Sequence, residues 1–174
     1  MGDIVDKIQS KVLDKVETPD DLLTFKLGEA LKMENTVLGM LGKLQEEARR
    51  PELKDQFSHH ADETRHQIEN LERAFAAIGV EPDEKPCLPI EAIDKQGMAN
   101  IKMADERLVD MVILGGAAQT EHHEIAVYES MIILAESIGK QDVAGLLRDN
   151  LEQEQHTLEE AMSAMREMAP AMAR

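Results

Sequence analysis

The sequence predicts an all-α protein: a four-helix bundle preceded by a short extra helix. Long stretches rich in Ala, Leu, Met, Glu, Lys and Gln favour helix, and the six prolines and ten glycines interrupt them sparsely. No segment alternates at period two, and no Asn-Gly or Asp-Gly pair signals a hairpin. Apolar residues recur instead every three or four positions, the spacing of one helix face.

Residues 3–16 suit a short amphipathic helix, with Ile4, Ile8, Val12 and Val16 on one face. Thr18-Pro19-Asp20-Asp21 reads as an N-cap, a proline at the first helical position and first-turn acids. The helix that follows carries Leu27, Leu31, Glu34, Leu38, Leu41 and Leu44. It is expected to stop near Arg49-Arg50, because the residue before Pro51 is pushed out of the α region. Pro51 opens a second long helix with Phe57, Ala61, Thr64, Ile68, Leu71 and Phe75, which Gly79 ends. Pro82, Pro86 and Pro89 break the next stretch, and Ile90 to Met103 can hold a short helix. A third long helix bears Leu108, Met111, Leu114, Ala118, Glu121, Ile125, Tyr128 and Ile132, and Gly139 closes it. The fourth runs from about Asp142 to Met168, with Leu146, Leu147, Leu151, Glu154, Leu158 and Met165 on one face.

Four helices of about 28 residues are each about 42 Å long. Short links join the first to the second and the third to the fourth, while about 25 residues separate the second from the third. An antiparallel neighbour needs only a few residues, so the long link is expected to traverse the bundle. The result is an up-down-down-up bundle with one long crossover, the ferritin-like arrangement. The expected organisation is an N-terminal extension over residues 1–17, the bundle over 18–169 with its crossover at about 80–104, and a tail over 170–174.

Composition narrows the function. The 174-residue chain has 19 basic and 35 acidic residues, a formal net charge of −16. That charge repels a phosphate backbone, so no nucleic-acid partner and no anionic membrane surface is expected. Aromatics are 2%, with no Trp, which leaves no platform for stacking bases or sugars. The single Cys87 excludes an intrachain disulfide and all-Cys zinc sites. The N-terminus has acids where a signal peptide has bases, and the longest apolar run, Met111 to Ala118, is far short of a membrane span. A cytoplasmic location is expected, and no motif for an organic cofactor is read.

Ionisable residues on the apolar stripes point to chemistry, because a buried charge must be paired, neutralised or bound to metal. Glu34 interrupts the leucine stripe of the first long helix and Glu154 that of the fourth. Glu121 and Glu124 lie on the core face of the third, and the second holds Glu63-Thr64-Arg65-His66, a Glu-x-x-His pair. Residues facing each other across a hairpin have their turn halfway between them. Halfway between Glu34 and Glu63 is about position 48.5, just before Pro51. Halfway between Glu124 and Glu154 is Gly139; Glu121 with Glu154 gives about 137.5, so the spacing does not choose between the two acids. Acids and imidazoles at one level of a bundle are the ligand set of a dinuclear Fe or Mn site. The expected ligands are Glu34, Glu63, His66, Glu121, Glu124 and Glu154. His60 is read as an extra ligand or a partner of one, and Tyr128, one turn beyond Glu124, as a residue placed to hydrogen-bond a ligand acid. His156 lacks an acid three residues earlier, where Gln153 stands, so Glu154 is favoured on that helix.

From about Asp21 to Met168 the chain resembles the YciF-like family of ferritin-like bacterial stress proteins. The resemblance rests on Lys32-Met33-Glu34, Pro51-Glu52-Leu53-Lys54, His60-Ala61-Asp62-Glu63-Thr64 and Leu151-Glu152-Gln153-Glu154. Above all it rests on Glu121-His122-His123-Glu124-Ile125-Ala126-Val127-Tyr128. It implies a four-helix bundle with a dimetal centre, often a homodimer, and no settled reaction. Two functions compete, and iron storage in a cage is a third reading, against which the resemblance implies a dimer. One is a di-iron or di-manganese oxidoreductase acting on O₂, peroxide or Fe(II). The other is a non-enzymatic structural or interaction protein whose buried acids pair with Arg, Lys or His.

Overall fold

The computed structural model describes residues 15–172 and contains five helices. They are α1 (Pro19–Glu47), α2 (Pro51–Ile78), α3 (Leu88–Met103), α4 (Val109–Ser137) and α5 (Gln141–Met172). The expected helix over residues 3–16 falls outside the described residues, except for Lys15 and Val16, which are not helical.

Local chemistry sets the boundaries. Thr18 and Asp21 form a capping box at the start of α1: Asp21 N–H donates to Thr18 Oγ1 at 3.1 Å and Thr18 N–H donates to Asp21 Oδ2 at 2.9 Å. α1 ends at Glu47, two residues before Arg49, and Pro51 opens α2. Gly79 (φ 75°) and Gly139 (φ 76°) take the left-handed conformation that ends α2 and α4, where a side chain would be strained. α5 continues to Met172 through Pro170, so the expected stop near Met168 and the tail from residue 170 are not seen. A proline there forfeits one hydrogen bond in a turn already close to the helix end.

The long helices pack as a ring: α1 on α2, α2 on α5, α5 on α4 and α4 on α1. Two contacts fix their directions. The buried Asp110 at the start of α4 accepts from Arg49 N–H at 2.7 Å and Arg50 N–H at 3.2 Å, which places the start of α4 beside the α1–α2 turn. At the other end Lys140, in the α4–α5 turn, pairs with Asp20 at 3.2 Å. The topology is therefore up-down-down-up. α3 ascends across α1 and α4 as the crossover, tied to α1 by Lys43–Asp94 at 3.0 Å. Before it, Lys85 N–H donates to Gly28 O at 2.9 Å, and a Cβ on Gly28 would lie 2.5 Å from Asp83 O. Gly28 is thus the place where the crossover lies directly on α1. Leu23, Leu27, Met33, Leu71, Phe75, Ile113, Met131 and Leu147 are among the fully buried side chains. No described helix is long and apolar enough to cross a membrane.

Candidate metal centre

Each wall of the bundle places a carboxylate or imidazole in the interior. Glu34 comes from α1, His60 from α2, Glu121 and Glu124 from α4, and Glu154 from α5. The four glutamates are 0–2% exposed and His60 is 5% exposed. They form two overlapping groups, His60–Glu121–Glu154 and Glu34–Glu124–Glu154. Within each group, one ligand atom per residue lies within 4.8 Å of the others. Glu154 belongs to both, so it stands between two neighbouring positions.

Among the described residues no salt bridge reaches Glu34, Glu124 or Glu154, and Glu121 has one only with His60. Both oxygens of Glu124 and of Glu154, Oε2 of Glu34 and Glu121, and Nε2 of His60 are buried without a hydrogen-bond partner. His60 Nε2 lies 3.5 Å from Glu121 Oε1 and its Nδ1 lies 3.6 Å from Glu63 Oε2. Buried polar atoms are ordinarily satisfied, so acceptors left unpaired and this close together could hold a cation. Four carboxylates carry the charge that two divalent ions balance, and an oxygen-rich set with one imidazole suits Fe or Mn. The residues present therefore fit such a centre.

A chain of hydrogen bonds closes the site on the side of the α4–α5 turn. Arg73 donates to Asn70 Oδ1 at 2.9 Å, Asn70 Nδ2 to Asn150 Oδ1 at 2.8 Å, Asn150 Nδ2 to Tyr128 Oη at 3.0 Å, and Tyr128 to Glu34 Oε1 at 2.5 Å. Its direction is dictated by its ends. Arg73 can only donate, and the Gln67 carbonyl, which takes the second Asn150 hydrogen at 3.2 Å, can only accept. Both amides are oriented by this, and the Tyr128 hydrogen goes to Glu34. Oε1 of Glu34 is thereby committed, and Oε2 is left facing the interior.

Burial governs the proton affinities. Desolvation raises Glu34 to about 7, against the lowering effect of the Tyr128 hydrogen bond. Burial, then the neighbouring acids, hold Glu124 and Glu154 well above the ordinary carboxylate range. Tyr128 is raised by burial and by the Glu34 and Glu154 charges. For His60, burial disfavours the charged ring, but Glu121 and Glu63 outweigh it and raise the group to about 10. Glu63 is lowered, first by its contact with His60.

The residues expected from the sequence are distributed unevenly. Glu34, Glu121, Glu124 and Glu154 come together with His60, and Tyr128 holds Glu34. Glu63 stands at the edge of this group, half-buried, touching His60 and, at 3.5 Å, His59. His66 is not brought in: its ring is 52% exposed and faces Glu69 at 3.7 Å. The inward face of α2 runs through Leu53, Phe57, His60, Thr64, Gln67 and Leu71, and His66 lies about 120° from His60 around the helix. The pair that meets on α2 is His60 with Glu63, the reverse of the Glu-x-x-His order. The buried amides Gln67, Asn70 and Asn150 carry no sequence signal as single residues. Their spacing on the apolar stripes is what marks them. His122 is exposed and His123 is half-buried against Cys87 Sγ at 3.9 Å.

An up-down-down-up four-helix bundle with a carboxylate–histidine cluster at its centre is the class this fold defines. The chain belongs to the YciF-like family, whose description, "Domain of unknown function (DUF892)", matches residues 18–173. It is 26% identical to Protein YciF of Escherichia coli (strain K12) over 144 residues, 82% of this chain and 87% of that protein. YcfI from Rhodopseudomonas palustris is 30% identical with a TM-score of 0.83, over 85% of this chain and 95% of that one. The crystal structure of the E. coli stress protein YciF is similar in fold, with a TM-score of 0.84 at 23% identity over 89% of this chain and 99% of that one.

Proposed function

We propose that the protein is a dimetal-carboxylate protein that binds two Fe or Mn ions in its core and acts on O₂, peroxide or Fe(II). The observation that carries this reading is Glu154, shared by two ligand groups whose buried acceptor atoms have no protein partner. Bound there, two such ions would supply one-electron chemistry toward a small oxidant. The chain's own residues supply the geometry. Glu154 spans the two positions. Tyr128 fixes Glu34 through one oxygen and leaves the other free. Glu63 and Thr157, the latter at 3.5 Å, lie on Nδ1 of His60 and leave Nε2 directed inward. The role in stress carries over from the E. coli relative as part of this proposal.

Metal analysis tests it. Protein loaded anaerobically with Fe(II) or Mn(II) and desalted should hold two ions per chain, Glu34→Ala one, and Glu154→Ala neither. Aerobic stopped-flow on the Fe(II) form should show oxidation faster than free iron. Wild-type protein that retains no metal would mean that the acids are a purely structural cluster.

A further inference from the structure

A cavity of about 30 Å³ lies beside the His60 end of the centre. That is room for about two water molecules. One wall is apolar, with Val37, Leu41, Phe57 and Leu114, and the other is polar, running from His59 and Glu160 through Glu63 to His60 and Glu121. The rim is exposed: the side chains of His59 and Glu160 are 70% and 43% accessible. His59 pairs with Glu63 at 3.5 Å along α2, and His156 with Glu160 at 3.5 Å along α5. Glu63 faces both ways, with Oε1 toward exposed His59 and Oε2 toward buried His60. Beyond it His60 Nε2 lies 3.5 Å from Glu121 Oε1, and Glu121 Oε2 is buried without a hydrogen-bond partner. The far end is closed by Tyr128, Gln67, Asn70 and Asn150, all 0–1% exposed.

We propose that divalent cations reach the centre through this opening, the Glu63 carboxylate on α2 handing each ion from the rim of His59 and Glu160 to His60 and Glu121. The proposal rests on the dimetal reading above and adds its route. From His59 through Glu63 and His60 to Glu121 the polar side chains follow one another at 3.5–3.6 Å, a series of oxygen and nitrogen donors for a partly hydrated cation. The acids at the mouth raise the local cation concentration, an effect that salt screens. Glu63 is then a carrier, not a resident ligand, which accounts for its partly exposed place outside the two buried groups.

Stopped-flow mixing of the metal-free chain with Co(II), followed by visible absorption, tests the route, and metal analysis gives the end point. Glu63→Gln keeps an acceptor for His60 but removes the charge, and Glu160→Gln alters the mouth without touching His60. Both should slow uptake at low salt by about tenfold, with the final Co(II) content equal to wild type. Wild-type uptake should itself slow as salt rises. Rates equal to wild type in either variant overturn the route. Loss of one Co(II) at equilibrium in Glu63→Gln overturns the carrier role, since Glu63 would then be a ligand. A wild-type chain that takes up no Co(II) overturns the centre itself and the route with it.

Discussion

Tyr128 shows how much one side chain settles. It is fully buried, its hydroxyl takes a hydrogen bond from Asn150, and it gives its own to Glu34. Tyr128→Phe leaves Oε1 of Glu34 without a donor in the core. Urea unfolding of the metal-free variant should show a loss of about 1–3 kcal/mol, the cost of leaving a buried acceptor unsatisfied. The contact was legible in the sequence as a tyrosine one turn from Glu124. The partner was not, because Glu34 lies on another helix and only the packing of α1 on α4 brings it there. His60 and His66 show the converse limit. Spacing within a motif says that two residues share a face, but not whether that face is the inward one. The inward face of α2 is defined by Phe57, Thr64 and Leu71, and it selects His60.

Among the elements, the crossover carries the clearest prediction. Replacing a helical glycine by alanine normally gains up to about 1 kcal/mol. At Gly28 the new methyl would meet the Asp83 carbonyl at 2.5 Å and Lys85 Cγ at 2.6 Å, and a backbone carbonyl cannot step aside without the crossover moving. Gly28→Ala should therefore lose about 1–3 kcal/mol in thermal or urea melts. Gly39→Ala and Gly42→Ala, with nothing within 4 Å of the added carbon, should gain stability. The long helices and their turns could be read from prolines, glycines and apolar spacing, because those signals are local. Asp110 as the clamp on the α1–α2 turn could not, since its partners are backbone groups sixty residues away.

For the whole molecule, the buried acids make stability depend on pH in a direction that metal reverses. Burial raises Glu34, Glu124 and Glu154, and Glu121 and Glu63 raise His60 against burial. Each of these groups binds protons more tightly folded than unfolded, so its contribution is complete below the unfolded value and is lost as pH rises through the folded one. For Glu34 that window runs from 4.5 to about 7, and for His60 from 6.5 to about 10. Glu63, which is lowered, acts oppositely and only in acid. Metal-free protein should melt higher at about pH 5.5 than at about pH 7.5. With Fe(II) or Mn(II) the order should invert, because ions and protons compete for the same atoms. Parallel melting shifts with and without metal would contradict the dimetal reading.

The division of the chain into two hairpins has a kinetic consequence. α1 with α2, and α4 with α5, are each joined by a turn of a few residues, so their contacts form early and fast. The donor atoms are divided between them: Glu34 and His60 on one hairpin, Glu121, Glu124 and Glu154 on the other. Neither half alone contains either complete triad. The centre therefore comes into being only when the hairpins dock, and the arrival of a metal signal during refolding would time the last step of assembly.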